Sequence, residues 1–77
     1  MEVKTKSGIR IKELREIHNM SQKDLSYSSD LDRSYIASVE NGKRNISIVN
    51  IEKIAKALDV TLKDFFNNDK FENPTTD

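Results

Sequence analysis

The apolar residues of the chain recur at helical spacing and are separated by short polar segments. The first group places apolar residues at three-residue intervals, at Ile11, Leu14, Ile17 and Met20. Polar and charged residues lie between them, which is the pattern of an amphipathic helix. We therefore predict a first helix that begins at Gly8 and ends at Asn19.

Helix start and stop signals place the next two helices close together. Ser21 followed three residues later by Asp24 is a capping box, which predicts a short second helix over residues 22–28. Asp32 is the predicted N-cap of a third helix. This helix should stop at Gly42, since glycine readily adopts the left-handed conformation that ends helices. The two helices must therefore be joined by a tight turn.

Two more helices are predicted in the second half of the chain. Ser47 is the N-cap of a fourth helix, whose apolar residues share one side: Ile48, Ile51, Ile54, Ala55 and Leu58. Thr61 and Asp64 repeat the capping box for a short fifth helix. The sequence thus predicts a compact, all-α domain of five helices over residues 1–71, with a disordered tail over residues 72–77.

Composition restricts the classes of function. The chain has 77 residues, 35% hydrophobic and 34% charged, with one histidine and no cysteine. A domain this small has little room for a catalytic cleft, and it offers neither a cysteine nucleophile nor a histidine pair for zinc. No apolar run approaches the length of a membrane span. We expect a cytoplasmic protein without enzymatic activity, metal, cofactor, small-molecule ligand or membrane partner.

The net charge is zero, which argues against a nucleic-acid partner until its distribution is considered. Residues 1–20 carry +2, residues 21–45 carry 0 and residues 46–77 carry −2. An anion-binding face is therefore expected toward the N-terminal end.

The outward face of the third helix has an unusual composition. Arg33, Ser34, Ala37, Ser38 and Asn41 share this face, opposite the apolar residues. Solvated faces usually carry long lysine and glutamate side chains, whereas these are mostly short. The face is either an ordinary exposed surface or the base-reading side of a recognition helix in a DNA major groove.

Three segments carry a family resemblance. Residues 21–25 (SQKDL), 35–43 (YIASVENGK) and 54–60 (IAKALDV) resemble the Cro/C1-type (XRE) helix-turn-helix family. Residues 31–36 (LDRSYI) and 43–47 (KRNIS) are most similar to the controller proteins of restriction-modification systems within it. The resemblance implies a lambda-repressor-like fold. It has two departures, because the family commonly has alanine and glycine where this chain has Ser26 and Asp30.

The resemblance also implies roles for individual residues. Three residues of the third helix would face base edges: Arg33, Ser34 and Ser38. Six would contact the DNA backbone: Gln22, Tyr35, Asn41, Lys43, Arg44 and Asn45. For Tyr35, packing in the core remains an equal alternative. Arg15 and Glu40 would form a structural ion pair between the first and third helices.

One apolar cluster predicts an interface. Val60, Leu62, Phe65 and Phe66 are more apolar surface than a short last helix needs for its own core. We predict that some of them, Phe65 or Phe66 foremost, form a twofold interface with the end of the fourth helix.

The predicted function is therefore that of a homodimeric, sequence-specific transcription regulator on an inverted-repeat operator. Resemblance to controller proteins implies control of a restriction-modification system, with double-stranded DNA, a second copy and RNA polymerase as partners. A phage or mobile-element repressor is an alternative. An antitoxin-like protein-interaction module is another, although only six residues after Phe71 are available for binding a partner.

Overall fold

The computed structural model of the protein describes residues 1–72 and shows an all-helical fold, as predicted. Five α-helices, α1 to α5, follow in order, and a short 3₁₀ helix comes after them: Val3–Ile17, Gln22–Ser29, Arg33–Glu40, Ile48–Ala57, Leu62–Phe66 and Asp69–Phe71. The 3₁₀ helix was not predicted. Apart from Glu72, the predicted disordered tail lies outside the described residues.

Three of the predicted N-caps form the expected hydrogen bonds. The hydroxyl groups of Ser21, Ser47 and Thr61 each accept from a backbone N–H three residues later, at 3.0, 3.1 and 3.0 Å. Asp24 completes the capping box by accepting from the Ser21 N–H at 3.0 Å. Asp32 occupies the N-cap position of α3, but its side chain makes no capping hydrogen bond. The prediction was therefore correct for the position and wrong for the contact.

The first helix starts earlier than predicted, at Val3 rather than Gly8. Gly8 lies inside α1, where its Cα faces the backbone at the end of α3. A Cβ atom at this position would overlap the Val39 carbonyl oxygen and lie 3.1 Å from the Glu40 Cα. Glycine thus allows close contact between the two helices. We attribute the additional turn to this packing, since the sequence before Gly8 has no helix start signal.

The helices enclose one core. α1 packs against α3, α2 packs against α3 and α4, and α4 packs against α5. The buried cluster consists of nine apolar residues: Ile11, Leu14, Leu25, Ile36, Val39, Ile51, Ile54, Leu58 and Phe65. Ile17 and Ile48, predicted on the apolar sides of their helices, are 68% and 62% exposed. Both lie at a helix end, where the adjoining chain turns away and leaves the side chain in solvent.

The C-terminal segment is fastened onto α1. Arg10 donates to the carbonyl oxygens of Phe65 and Asp64 at 2.7 and 2.9 Å. Lys70 donates to Glu13 at 2.7 Å. Phe71 packs edge to face on Phe66, with their ring centroids 5.2 Å apart. These contacts hold the C-terminal segment against α1 and the core.

Candidate nucleic-acid interface

α2 and α3 are joined by a turn of three residues, 30–32. Asp30 is in the left-handed conformation, with φ of 60° and ψ of 34°. Ser26 donates to the Leu31 carbonyl at 2.6 Å, and Ser26 in turn accepts from the Leu31 N–H at 3.3 Å through its carbonyl oxygen. The two departures from the family pattern therefore take part in forming the turn. Together, α2, the turn and α3 have helix-turn-helix geometry.

The outer face of α3 is open to solvent at both ends. Arg33, Ser34 and Asn41 are exposed, while Ser38 is half-buried. Arg33 makes no hydrogen bond or ion pair with any residue that the structure describes. Its guanidinium group, with five N–H donors, is thus available to a ligand. A guanidinium at the start of a helix with short side chains behind it matches a base-reading surface.

Tyr35 packs against the core, which is one of the two alternatives considered for it, and its contact with phosphate stays a prediction. Its ring packs against the core, while its hydroxyl accepts a hydrogen bond of 3.0 Å from the Asn50 side-chain amide. The Arg44 guanidinium lies over the ring, 4.9 Å from its centroid, in a cation–π arrangement. Tyr35 therefore positions a loop cation and keeps its own hydroxyl proton available as a donor.

Asn50 is a member of this cluster that the sequence did not reveal. It is the third helical residue of α4, where a glutamate or glutamine would complete a capping box with Ser47. Its backbone N–H binds the Ser47 hydroxyl, and its side chain extends toward Tyr35 instead. The sequence did contain one indication of this role, because Asn50 is a short amide at a helix position that favours Glu or Gln.

The loop after α3 is held in place by hydrogen bonds to the end of α3 and by contact with α1. Gly42 has φ of 72°, and its N–H donates to the Val39 carbonyl while the Lys43 N–H donates to the Ser38 carbonyl, both at 3.0 Å. This is a Schellman ending. Thr5 of α1 lies directly beneath Gly42. Of the residues predicted on the DNA backbone, the three that follow Gly42 are all exposed: Lys43, Arg44 and Asn45.

Glu40 joins three elements at the end of α3. Arg15 donates to its carboxylate through Nε at 2.8 Å and Nη2 at 3.0 Å, and Gln22 donates through Nε2 at 3.1 Å. The Glu40 and Arg15 side chains are 2% and 12% exposed. The hydrogen bonds to Glu40 raise the pKa of Arg15 above its ordinary value. The pair predicted from the resemblance is thus present and buried, and Gln22 is bonded to it.

Three of the five basic residues of the N-terminal segment are used within the fold. Arg10 and Arg15 are bonded within the fold, and Lys6 is buried. Lys4 borders a surface cavity of 120 Å³ that is shared with Asn45. The exposed cations of the candidate interface are Arg33, Lys43 and Arg44 of α3 and its loop, and residues 33–45 carry a net charge of +2. Folding thus uses Arg10, Arg15 and Lys6, whereas Lys12 is exposed, and the anion-binding face at this end stays a prediction.

The predicted interface cluster is also corrected. Phe65 has no exposed surface and belongs to the core of the monomer, so it cannot contact a second copy directly. Val60, Leu62 and Phe66 are half-buried and border the same core. Phe66 lines two neighbouring surface cavities, one with Leu62 and the other with Val3. The candidate patch is therefore Val60, Leu62 and Phe66 together with Val3.

Within the described residues, no group of three or more acidic or histidine side chains is arranged to hold a metal ion. No helix in the same part of the chain combines the length and apolar character needed to cross a bilayer.

These features define a helix-turn-helix protein, and comparison with known proteins agrees. The helix-turn-helix family model matches residues 11–65, and the chain belongs to that family. Among its relatives is the control protein C.MunI of a Mycoplasma species, 44% identical over 68 residues that cover 87% of this chain and 92% of that one.

Solved structures give the same assignment. The restriction-modification controller protein C.AhdI of Aeromonas hydrophila is 48% identical, with a TM-score of 0.78, over 82% of this chain and 96% of that one. C.Esp1396I, also a restriction-modification controller protein, has been solved as a tetramer with its natural 35 base-pair operator. It is 41% identical, with a TM-score of 0.78, over 82% of this chain and 83% of that one. The chain is therefore a helix-turn-helix protein of the controller type.

Proposed function

We propose that the protein is a sequence-specific DNA-binding transcription regulator that acts as a homodimer on an inverted-repeat operator. The observation that carries the proposal is the outer face of α3, where the unpaired Arg33 precedes short side chains. A helix of this kind fits the major groove, where an arginine binds guanine O6 and N7 together. One such module buries too little surface for specific affinity, which favours a dimer.

The proposed contacts divide into two sets. Arg33, Ser34 and Ser38 read base edges, since they share the outer face of α3. The remaining residues hold phosphates, because they lie at the start of α2 or around the loop after α3, where N–H groups and cations face outward, or, for Tyr35 within α3, against the loop residue Arg44. They are Gln22, Tyr35, Asn41, Lys43, Arg44 and Asn45. Arg44 reaches the backbone near the operator centre once it leaves the Tyr35 ring.

Similarity to controller proteins supports a role in a restriction-modification system. In that role the protein regulates its own gene and the endonuclease gene, activating at low operator occupancy and repressing at high occupancy. RNA polymerase is the further partner that activation requires. This function is exercised on DNA in the cytoplasm and involves no catalytic step.

The proposed dimer uses the patch of Val60, Leu62, Phe66 and Val3. Replacing Leu62 by Lys places a charge on this half-buried surface and should convert a dimer into a monomer. Ile17→Lys is the matched control, because Ile17 is 68% exposed and lies outside the patch. Sedimentation at tens of micromolar distinguishes them. A wild-type protein that is monomeric at this concentration and still binds its operator contradicts the proposed dimer.

Selection of bound duplexes from a random pool tests the function itself. The proposal predicts enrichment of a symmetric motif, with half-sites separated by about one helical turn, or 10 base pairs. Absence of any enrichment over bulk DNA contradicts it and favours a protein-interaction module. The neighbouring genes distinguish a restriction-modification controller from a phage repressor.

A further inference from the structure

The Glu40 carboxylate has more partners than an ion pair requires. Arg15 already binds both of its oxygens, and Gln22 adds a third hydrogen bond to Oε1. Gln22 is half-buried and is the first residue of α2. The carboxylate thus connects the last residue of the candidate recognition helix with the start of the preceding helix.

A carboxylate accepts hydrogen bonds and cannot donate them. The Gln22 amide must therefore face Glu40 with its nitrogen, which fixes one of two orientations that a free amide would populate about equally. In this orientation the amide retains a second N–H. The opposite orientation would direct the carbonyl oxygen where that N–H now points, and an oxygen would repel a phosphate.

We infer that Glu40 is a positioning residue for DNA binding, which orients the Gln22 amide so that its free N–H meets a phosphate. The inference rests on the proposed function. The contribution of Glu40 to binding is thus distinct from its ion pair with Arg15, which joins α1 to α3. Because Glu40 is the last residue of α3, its side chain fixes the phosphate-binding group of α2 relative to the recognition helix.

One substitution made in three versions of the protein distinguishes a positioning role of Glu40 from a role in folding. Gln22→Ala is made in the wild type, in Glu40→Gln and in Arg15→Gln. Glu40→Gln keeps the shape of the side chain but supplies an amide that donates as well as accepts, so the Gln22 orientation is no longer fixed. Arg15→Gln is the matched control, because it also breaks the ion pair but leaves the carboxylate in contact with Gln22.

Operator affinity is measured for every variant at a temperature below the lowest melting temperature of the set. The slope of log affinity against log salt concentration is measured for each variant as well. Gln22→Ala should weaken binding at least about tenfold in the wild type and in Arg15→Gln, because each dimer loses two hydrogen bonds to charged phosphates. In Glu40→Gln the same change should cost about twofold or less. Equal losses in all three backgrounds, or no loss in the wild type, would overturn the inference.

A wild-type protein with no preference for operator over scrambled DNA contradicts the proposed function instead of this inference. A readout without DNA covers the case in which Arg15→Gln fails to fold. Gln22 is the only glutamine of the sequence, so its side-chain amide protons are identified directly by NMR. One proton should be shifted downfield in the wild type, and this shift should be lost in Glu40→Gln. That variant contains a second glutamine, so its Gln22 resonances are identified as those that disappear when Gln22→Ala is added. Identical amide resonances in the two proteins would refute the hydrogen bond.

Discussion

The buried pair of Arg15 and Glu40 gives the most quantitative stability prediction. Replacing Arg15 by Ala removes two hydrogen bonds to Glu40 and one of 2.8 Å to the Met20 carbonyl. The Glu40 carboxylate then remains buried, with a side chain 2% exposed, and Gln22 is its one remaining hydrogen-bond partner within residues 1–72. Replacing Glu40 instead leaves Arg15, whose side chain is 12% exposed and keeps the Met20 carbonyl.

Loss of one partner of a buried pair typically costs 3 to 5 kcal/mol, so we expect about 3 kcal/mol or more for Arg15→Ala. Glu40→Ala should cost somewhat less, about 3 kcal/mol at most, since the remaining cation has a route to solvent. For a domain of this size each kcal/mol corresponds to roughly 4 to 8 °C in melting temperature. Arg15→Ala should therefore melt at least about 12 °C below the wild type.

Thermal and urea unfolding followed by circular dichroism measure both variants. Glu52→Ala is the control, because the Glu52–Lys56 pair is exposed and its charged atoms are 3.9 Å apart, so its loss should cost about 0.5 kcal/mol or less. The double variant Arg15→Met, Glu40→Leu should lose less stability than Arg15→Ala. Melting temperatures within a degree or two of the wild type for Arg15→Ala would refute the reasoning.

Three further predictions follow from other contacts. Gly8→Ala should destabilise the protein by about 3 kcal/mol or more in urea unfolding, because the new Cβ meets the Val39 backbone; increased stability, as at an ordinary helical glycine, would contradict the packing. Lys43→Ala should weaken binding to all DNA sequences alike and reduce the slope of log affinity against log salt by about 1.8 per dimer; an unchanged slope would exclude a phosphate contact. The backbone N–H of Ser21 holds the pKa of the Asp24 carboxyl below its ordinary value. The contribution of this cap to the stability of the fold is therefore present above a pH of about 4 and is lost as pH falls through the lowered pKa. NMR titration should show this lowered pKa, and Asp24→Asn should lose less stability on acidification than the wild type does; an ordinary pKa for Asp24 would show that the cap is absent.

The helices could be predicted from sequence wherever their ends carry side-chain signals. Ser21, Ser47 and Thr61 form local hydrogen bonds within three residues, so their effect does not depend on the rest of the fold. The start of α1 could not be found in this way. It depends on the contact of Gly8 with the end of α3, more than 30 residues away in the sequence. The 3₁₀ helix likewise depends on Phe71 packing against other aromatic rings.

The candidate interface shows the same division. Helical periodicity was sufficient to place Arg33 and Ser34 on an outward face, because the opposite face is marked by Ile36 and Val39. Periodicity could not predict which of Phe65 and Phe66 is buried. In a helix of five residues, the packing of the other helices decides which of two neighbouring rings enters the core. The bonds of Asn50 to Tyr35 and of Gln22 to Glu40 join different helices and leave little trace in local spacing.

Arg33→Ala tests directly whether α3 is a recognition helix. Binding isotherms on cognate and scrambled operators at several salt concentrations measure both affinity and specificity. Arg33→Ala should lose about 1 to 3 kcal/mol of binding free energy per half-site on the cognate operator, with relaxed preference at one base pair and little change on scrambled DNA. If Arg33→Ala leaves the ratio of cognate to scrambled affinity intact, α3 does not read the operator through Arg33.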